Sequence, residues 1–134
     1  MKNKKKLLWI VAIFVLIGII ALAIYLKSVE DYKRAVAEIS FSPVSLSAVS
    51  DGVYTGECDV EFIYAKVSVT VENGKLTDIA ILEHKNGRGA AAESVVDEMV
   101  KKQSVDVDTV SGATNSSIVL KKAVENALQE GLSH

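Results

Sequence analysis

A chain of 134 residues allows one domain rather than two, and its net charge of −2 conceals a split. The first 27 residues carry five lysines and no acid. The remainder carries ten basic and 17 acidic residues, an acidic body that argues against a nucleic-acid clamp. A single cysteine excludes an internal disulfide framework and a four-cysteine metal site, the pair His84 and His134 has no metal-ligand spacing, and 49% hydrophobic residues exclude a disordered chain.

Residues 1–6 form a basic tail, with Lys2, Lys4, Lys5 and Lys6 ahead of an uncharged apolar run from Leu7 to Leu26. Twenty helical residues at about 1.5 Å each span a hydrocarbon core of about 30 Å. The run has no polar stripe, so it reads as a single-pass signal-anchor helix. The flanking lysines place the N-terminus in the cytoplasm and everything after Leu26 outside it, at the cell membrane. Trp9 and Tyr25 stand near the two ends, where amphipathic rings favour the interface. Ala21-Leu22-Ala23 has the form of a signal-peptidase site, but the run continues through Ile24, Tyr25 and Leu26, which favours a retained anchor. Both readings export the same domain.

Residues 27–50 read as a stalk. Tyr32, Val36 and Ile39 recur at helical spacing, and Pro43 with four serines then loosens the chain into a spacer. The folded domain is expected over residues 51–131. Asp51-Gly52 marks a turn, and Val53 to Cys58 a strand. Ala65 to Glu72 alternates, with Val67, Val69 and Val71 on one face. Asn73-Gly74 is a strong hairpin signal, and Lys75 to Glu83 returns as the partner strand. Its Ile79-Ala80-Ile81-Leu82 stretch is apolar on both faces, which predicts cover on both sides.

After the glycine-rich loop Asn86-Gly87-Arg88-Gly89, residues Ala90 to Gln103 read as a helix with Val95, Val96, Met99 and Val100 on one side. A last helix starts near Asn115 or Ser116, carries the stripe Leu120, Val124, Ala127 and Leu128, and ends at Gly131. Lys101-Lys102 and Lys121-Lys122 read as solvated faces, and Cys58 as a small buried side chain. Strands followed by helices give an α+β fold, a small antiparallel sheet with helices packed on one face.

The chemistry concentrates in Asp108-Thr109-Val110-Ser111-Gly112-Ala113-Thr114, which runs into Ser116, Ser117 and the last helix. A small-residue turn feeding a helix N-terminus offers free N–H groups and a partial positive charge to a phosphate. The same residue types are ordinary N-caps, so spacing alone leaves both readings open. Tyr54 and Tyr64 offer rings for stacking on a planar ligand, although strand tyrosines more often pack a core.

Asp108 to Thr114 resembles the flavinylation motif of the FMN-binding domain family: an acid, two variable residues, then Ser-Gly-Ala-Thr. The resemblance extends from Asp51 to Gly131. It takes in Asp51-Gly52-Val53-Tyr54-Thr55-Gly56, the Val67–Leu82 hairpin, and Glu83-His84 before a glycine-rich loop. Larger relatives have Thr-Pro-Gly in that loop, where this chain has Asn86-Gly87-Arg88-Gly89. The family includes the domain in the G subunit of the Rnf electron-transport complex and in the C subunit of the sodium-translocating NADH:quinone reductase.

The resemblance implies that Thr114 carries FMN through a phosphoester. It also implies that Asp108, Ser111, Gly112 and Ala113 are read by a magnesium-dependent FAD:protein FMN transferase, which releases AMP. Ser116, Ser117, His84 and Arg88 are further candidates for the flavin's surroundings. The expected role is a membrane-anchored electron carrier between membrane or surface redox partners, a redox module with no catalytic residue and no metal of its own. Two other readings stand beside it: a non-covalent flavin-binding sensor or scavenger, and a structural interaction domain in which the motif only caps a helix.

Overall fold

The computed structural model describes residues 2–85 and 90–132. Two compact units separate in the chain, residues 1–34 and residues 35–134. The first is carried by α1, a helix over Lys2–Ala37 whose apolar part is long enough to cross a membrane by length and composition. The helix does not stop at Leu26 with the apolar run. It continues through Tyr32 and Val36, which recur at helical spacing, and an exposed Arg34–Glu30 pair at 3.8 Å spans one of its later turns.

The second unit holds three strands and two helices. β1 (Gly52–Asp59), β2 (Tyr64–Glu72) and β3 (Lys75–Lys85) form an antiparallel meander in the order β1-β2-β3. β2 shows why the sequence alternates as it does. Ala65, Val67, Val69 and Val71 are fully buried on one face, and Lys66, Ser68 and Thr70 take the other. Each buried valine contributes about 1.5–3 kcal/mol of transfer free energy. Asn73 and Gly74 both have positive φ, 53° and 73°, the type I′ turn that suits a twisted two-residue hairpin. The Asn73 N–H also donates to Asp51 Oδ1 at 2.8 Å, which ties the turn to the start of β1.

Two bulges in β3 shift the pairing between Lys66 and Val67 and between Thr70 and Val71. They leave Leu82 and Thr77 as the extra residues. The expected double cover of Ile79 to Leu82 fails. Ile79 is buried and Ile81 half-buried, whereas Ala80 is exposed and Leu82 is 51% exposed. The buried residues of β2 and β3 share the face on which α2 and α3 pack, and Ala80 and Leu82 fall outside it.

The helix expected over Ala90 to Gln103 is a 3₁₀ turn at Ala90–Ser94 followed by α2 (Val95–Lys102). Gln103 closes it in the left-handed region, φ 53°. Its side chain then bridges to β3, accepting from Leu76 N–H and donating to Leu76 O, both at 2.7 Å. α3 (Thr114–Leu132) packs along β1 and β2. Leu120, Ala123, Val124, Ala127 and Leu128 are buried on its inner face.

Gly131 does not end α3. It lies inside the helix and is buried because a Cβ there would stand 2.4 Å from Val49 Cγ1 and 2.9 Å from the Tyr54 ring. Gly56 does the same on β1, where a Cβ would meet Ala123 O at 2.1 Å and Ala127 N at 2.4 Å. The two backbones touch there with no side chain between them.

Residues 38–50, read from sequence as a spacer, are fastened to the domain. Val49 is 3% exposed. The Ser50 N–H donates to Gly131 O at 3.3 Å, the Ser42 N–H to Glu125 Oε1 at 3.0 Å, and Lys122 Nζ to Ser40 O at 2.8 Å.

Candidate functional site

The Asp108–Thr114 motif forms an exposed turn immediately ahead of α3. Gly112 has φ +81°, and the Ala113 N–H donates back to Val110 O at 2.9 Å, closing a β-turn. A left-handed third position in such a turn requires glycine or a residue of similar freedom. A Cβ at Gly112 would meet nothing within 4 Å, so the space above the turn is open.

Thr114 is the first residue of α3 and is exposed, as are Asp108, Ser111 and Gly112. Ala113 is buried, with 7% exposure, and anchors the turn to the core. The helix therefore begins one or two residues earlier than the sequence pattern suggests, which puts the threonine hydroxyl on the helix rather than before it.

Ser117 holds this arrangement. It is fully buried, its Oγ donates to Ala113 O at 2.8 Å, and the same Oγ accepts from Val110 N–H at 3.0 Å. One hydroxyl thus links the two ends of the β-turn to the first turn of the helix. Ser116 is also buried, at 3% exposure. Both serines face the protein interior, so their place is in the support of the motif and not on its open surface. The Lys121 ammonium donates to Val107 O at 2.7 Å and fixes the strand of chain that leads into the motif.

The pattern of these residues suits an anion. Four motif residues, Asp108, Ser111, Gly112 and Thr114, are exposed, the space above Gly112 is open, the helix begins at Thr114, and no acidic residue occupies the first turn of α3. The first N–H groups of a helix lack intrahelical acceptors, and the dipole there is equivalent to about half a positive charge. A phosphate on the Thr114 oxygen would meet this end of the helix without a facing carboxylate in its first turn.

The other candidates sit elsewhere. His84 is on β3, opposite Ala65, with its side chain 2% exposed and Nδ1 3.7 Å from Glu93 Oε1 of the 3₁₀ turn. Arg88 lies outside the described residues. Tyr54 packs against Gly131, and its hydroxyl donates to Ser50 O at 2.5 Å. Tyr64 stands on the outward face of the sheet and donates to Glu57 Oε2 at 2.8 Å. That hydrogen bond, with the carboxylates of Glu57, Glu83 and Asp59 nearby, pushes the phenol up to about 12. Cys58 is half-buried, and burial raises its thiol against the opposing pull of the Lys122 charge.

Lys101 and Lys102 are solvated as expected, but Lys121 and Lys122 are half-buried and engaged with carbonyls and with Glu125. Sequence reading did not single out Gly131 as a contact point, or Glu125 and Ser117 as buried hydrogen-bond centres. None carries a local signal, because each is defined by what the chain brings against it.

Residues 63–129 match the family described as the FMN-binding domain, a span of half the chain. An uncharacterized protein of Treponema pallidum (strain Nichols) is 32% identical over 89 residues, which cover 64% of this chain and 25% of that protein. The chain thus spans about a quarter of the length of that relative. The matched family span takes in β2, the Asn73-Gly74 hairpin, the Ser-Gly-Ala-Thr turn and most of α3. The chain belongs to the FMN-binding domain family.

Proposed function

We propose that this protein is a membrane-anchored, extracytoplasmic electron carrier with FMN held covalently at Thr114. The observation that supports the reading best is the exposed Thr114 hydroxyl at the first position of α3, behind a Ser-Gly-Ala turn that Ser117 holds in place. Exposure of Asp108, Ser111 and Gly112 leaves the motif open to a modifying enzyme.

A threonine hydroxyl is a poor nucleophile unaided, so an external FAD:protein FMN transferase would activate it. Thr114 Oγ would lose its proton and bond to the phosphorus of the FMN half of FAD as the pyrophosphate link breaks and AMP departs. The resulting phosphodiester keeps one negative charge beside the start of α3, a placement worth about 0.3–1 kcal/mol. Gly112 keeps a side chain out of that space, and Ser117 keeps the turn and helix in one geometry. The flavin, when bound, supplies one- and two-electron chemistry.

The apolar part of α1 would hold the chain in the cell membrane, with the lysine-rich N-terminus cytoplasmic and the domain outside. Partners would be membrane or surface electron donors and acceptors.

The test is the intact mass of the full chain made with an active flavin transferase in a host that exports the domain. A gain equal to FMN less one water, present in the wild type and absent in Thr114→Ala, is expected. An unmodified wild-type chain, with the transferase shown active on another substrate in the same cells, would overturn the covalent reading. Flavin retained by Thr114→Ala after gentle purification but lost on denaturation would point instead to a non-covalent module.

A further inference from the structure

A cavity of about 550 Å³ lies apart from the flavinylation motif. Its walls come from the segment Phe41 to Leu46, from Leu76 at the start of β3, from residues 103–106 and from Lys121, Glu125 and Leu128 along one flank of α3. Sites for small molecules commonly measure about 300–1,000 Å³. Glu125 on this wall is 11 residues beyond Thr114, about 16 Å along the helix.

Two charged side chains of α3, Lys121 and Glu125, stand four residues apart on the same side of the helix and both line the cavity. Glu125 is 1% exposed. Its Oε1 accepts from the Ser42 N–H at 3.0 Å, Gln129 Nε2 at 3.1 Å and Lys122 Nζ at 3.2 Å. Its Oε2 is buried too and meets no donor.

Lys121 has three N–H donors, of which Val107 O takes one. Its ammonium lies 5.2 Å from the centre of the Phe41 ring, and Phe41 is itself 41% exposed. The usual partner of a buried acceptor that no protein donor reaches is a water or a ligand. Glu125 lines the cavity, and Oε2 is the oxygen of its carboxylate that no protein donor occupies.

The charge around the cavity decides what kind of ligand fits. The charged residues of the wall are Lys121, Asp106 and Glu125. Glu125 is already paired with Lys122 Nζ at 3.2 Å, which does not itself line the cavity. Lys121 and Asp106 therefore leave no excess sign with which to draw in an ion, and an unpaired charge would be costly to bury. Phe41, Leu46, Leu76 and Leu128 supply apolar contact.

We propose that this cavity binds a small uncharged aromatic molecule bearing a hydroxyl or amide N–H, which donates to Glu125 Oε2 while its oxygen accepts from Lys121. Because one wall is the segment that runs from α1 into the domain, the ligand would also brace that segment against α3.

The probe is 2-naphthol, with naphthalene as the partner that lacks the donor. Each is titrated into the full chain in lipid nanodiscs with labelled Leu and Val methyl groups, observed by NMR. 2-Naphthol is expected to shift the methyl signals of Leu76, Val105 and Leu128, and to bind about tenfold or more tightly than naphthalene, the effect of one hydrogen bond to a charged acceptor. Leu46→Trp narrows the cavity from a wall that does not hold Glu125, and is expected to weaken 2-naphthol binding and reduce those shifts with the domain still folded. The same shifts are expected in Thr114→Ala, since no residue of the Asp108–Thr114 motif lines the cavity. Shifts confined to α1, or equal binding of the two probes, would overturn the proposal.

Discussion

Replacing Gly56 by alanine is the sharpest test of how the domain is assembled. The new methyl would stand 2.1 Å from Ala123 O, 2.4 Å from Ala127 N and 2.9 Å from Ala127 Cα. All three atoms are backbone, so no side chain can swing aside. Ordinary contact begins at 3.4 Å, so α3 must retreat from β1 by about 1.3 Å. Overpacking of this kind costs about 1–3 kcal/mol. The retreat also opens a gap along the inner face of α3, where Leu120, Val124 and Ala127 are fully buried, and a gap of that size forfeits a quarter to a half of each dispersion contact it crosses.

A total of about 3–4 kcal/mol follows, a large part of the 5–15 kcal/mol available to a typical domain. In a domain of this size it corresponds to a fall in Tm of roughly 12–30 °C. Differential scanning calorimetry of the solubilised full chain measures it. Gly112→Ala is the comparator. It meets nothing within 4 Å but sits at φ +81°, so its cost is only the left-handed strain of about 1–2 kcal/mol. A Gly56→Ala variant that loses less than about 4 °C, or less than Gly112→Ala, would refute direct backbone contact between α3 and β1.

Ser117→Ala removes the one hydroxyl that links Val110 N, Ala113 O and α3, and leaves the Val110 N–H without its acceptor. It is expected to cost about 1–3 kcal/mol in thermal unfolding and to slow attachment of flavin at Thr114, although Thr114 itself is untouched. Attachment at the wild-type rate would show that the turn needs no such support. The raised Tyr64 phenol predicts a late step in an ultraviolet titration of tyrosinate, near pH 12, that moves back toward 10 in Glu57→Gln. The sign follows from linkage. The folded state holds the proton more tightly, so this contribution to stability is complete below pH 10 and is lost between pH 10 and 12. A titration unchanged by Glu57→Gln would remove the hydrogen bond as the principal cause.

Much of the fold was legible because its signals are local. The alternation of Val67, Val69 and Val71 names the buried face of β2, Asn73-Gly74 names its turn, and the Leu120, Val124, Leu128 stripe names the buried face of α3. Gly131 misled because glycine ends helices far more often than it admits a neighbouring chain, and nothing beside it in sequence announces Val49 and Tyr54. Ile79 to Leu82 misled because an apolar run does not say whether a second layer exists to cover it. Residues 38–50 look like a spacer by composition, yet Glu125, 83 residues beyond Ser42, gathers them in.

In the motif, the pattern of Ser, Gly, Ala and Thr was readable as a unit, but the division of labour within it was not. Exposure sets Thr114 apart from Ser116 and Ser117, and exposure is decided by which side of α3 meets the sheet.

Gly56 and Gly131 also act together as a phase lock. The first lets α3 seat against β1 at Ala123 and Ala127, and the second lets it seat against Val49 and Tyr54 near its far end. A rod pinned at two points can neither slide nor spin. Each helical residue turns about 100°, so inserting a single residue between Thr114 and Ala123 would swing the threonine a quarter-turn or more about the helix axis while both pins held. The direction in which Thr114 faces is therefore set by two glycines that never approach it.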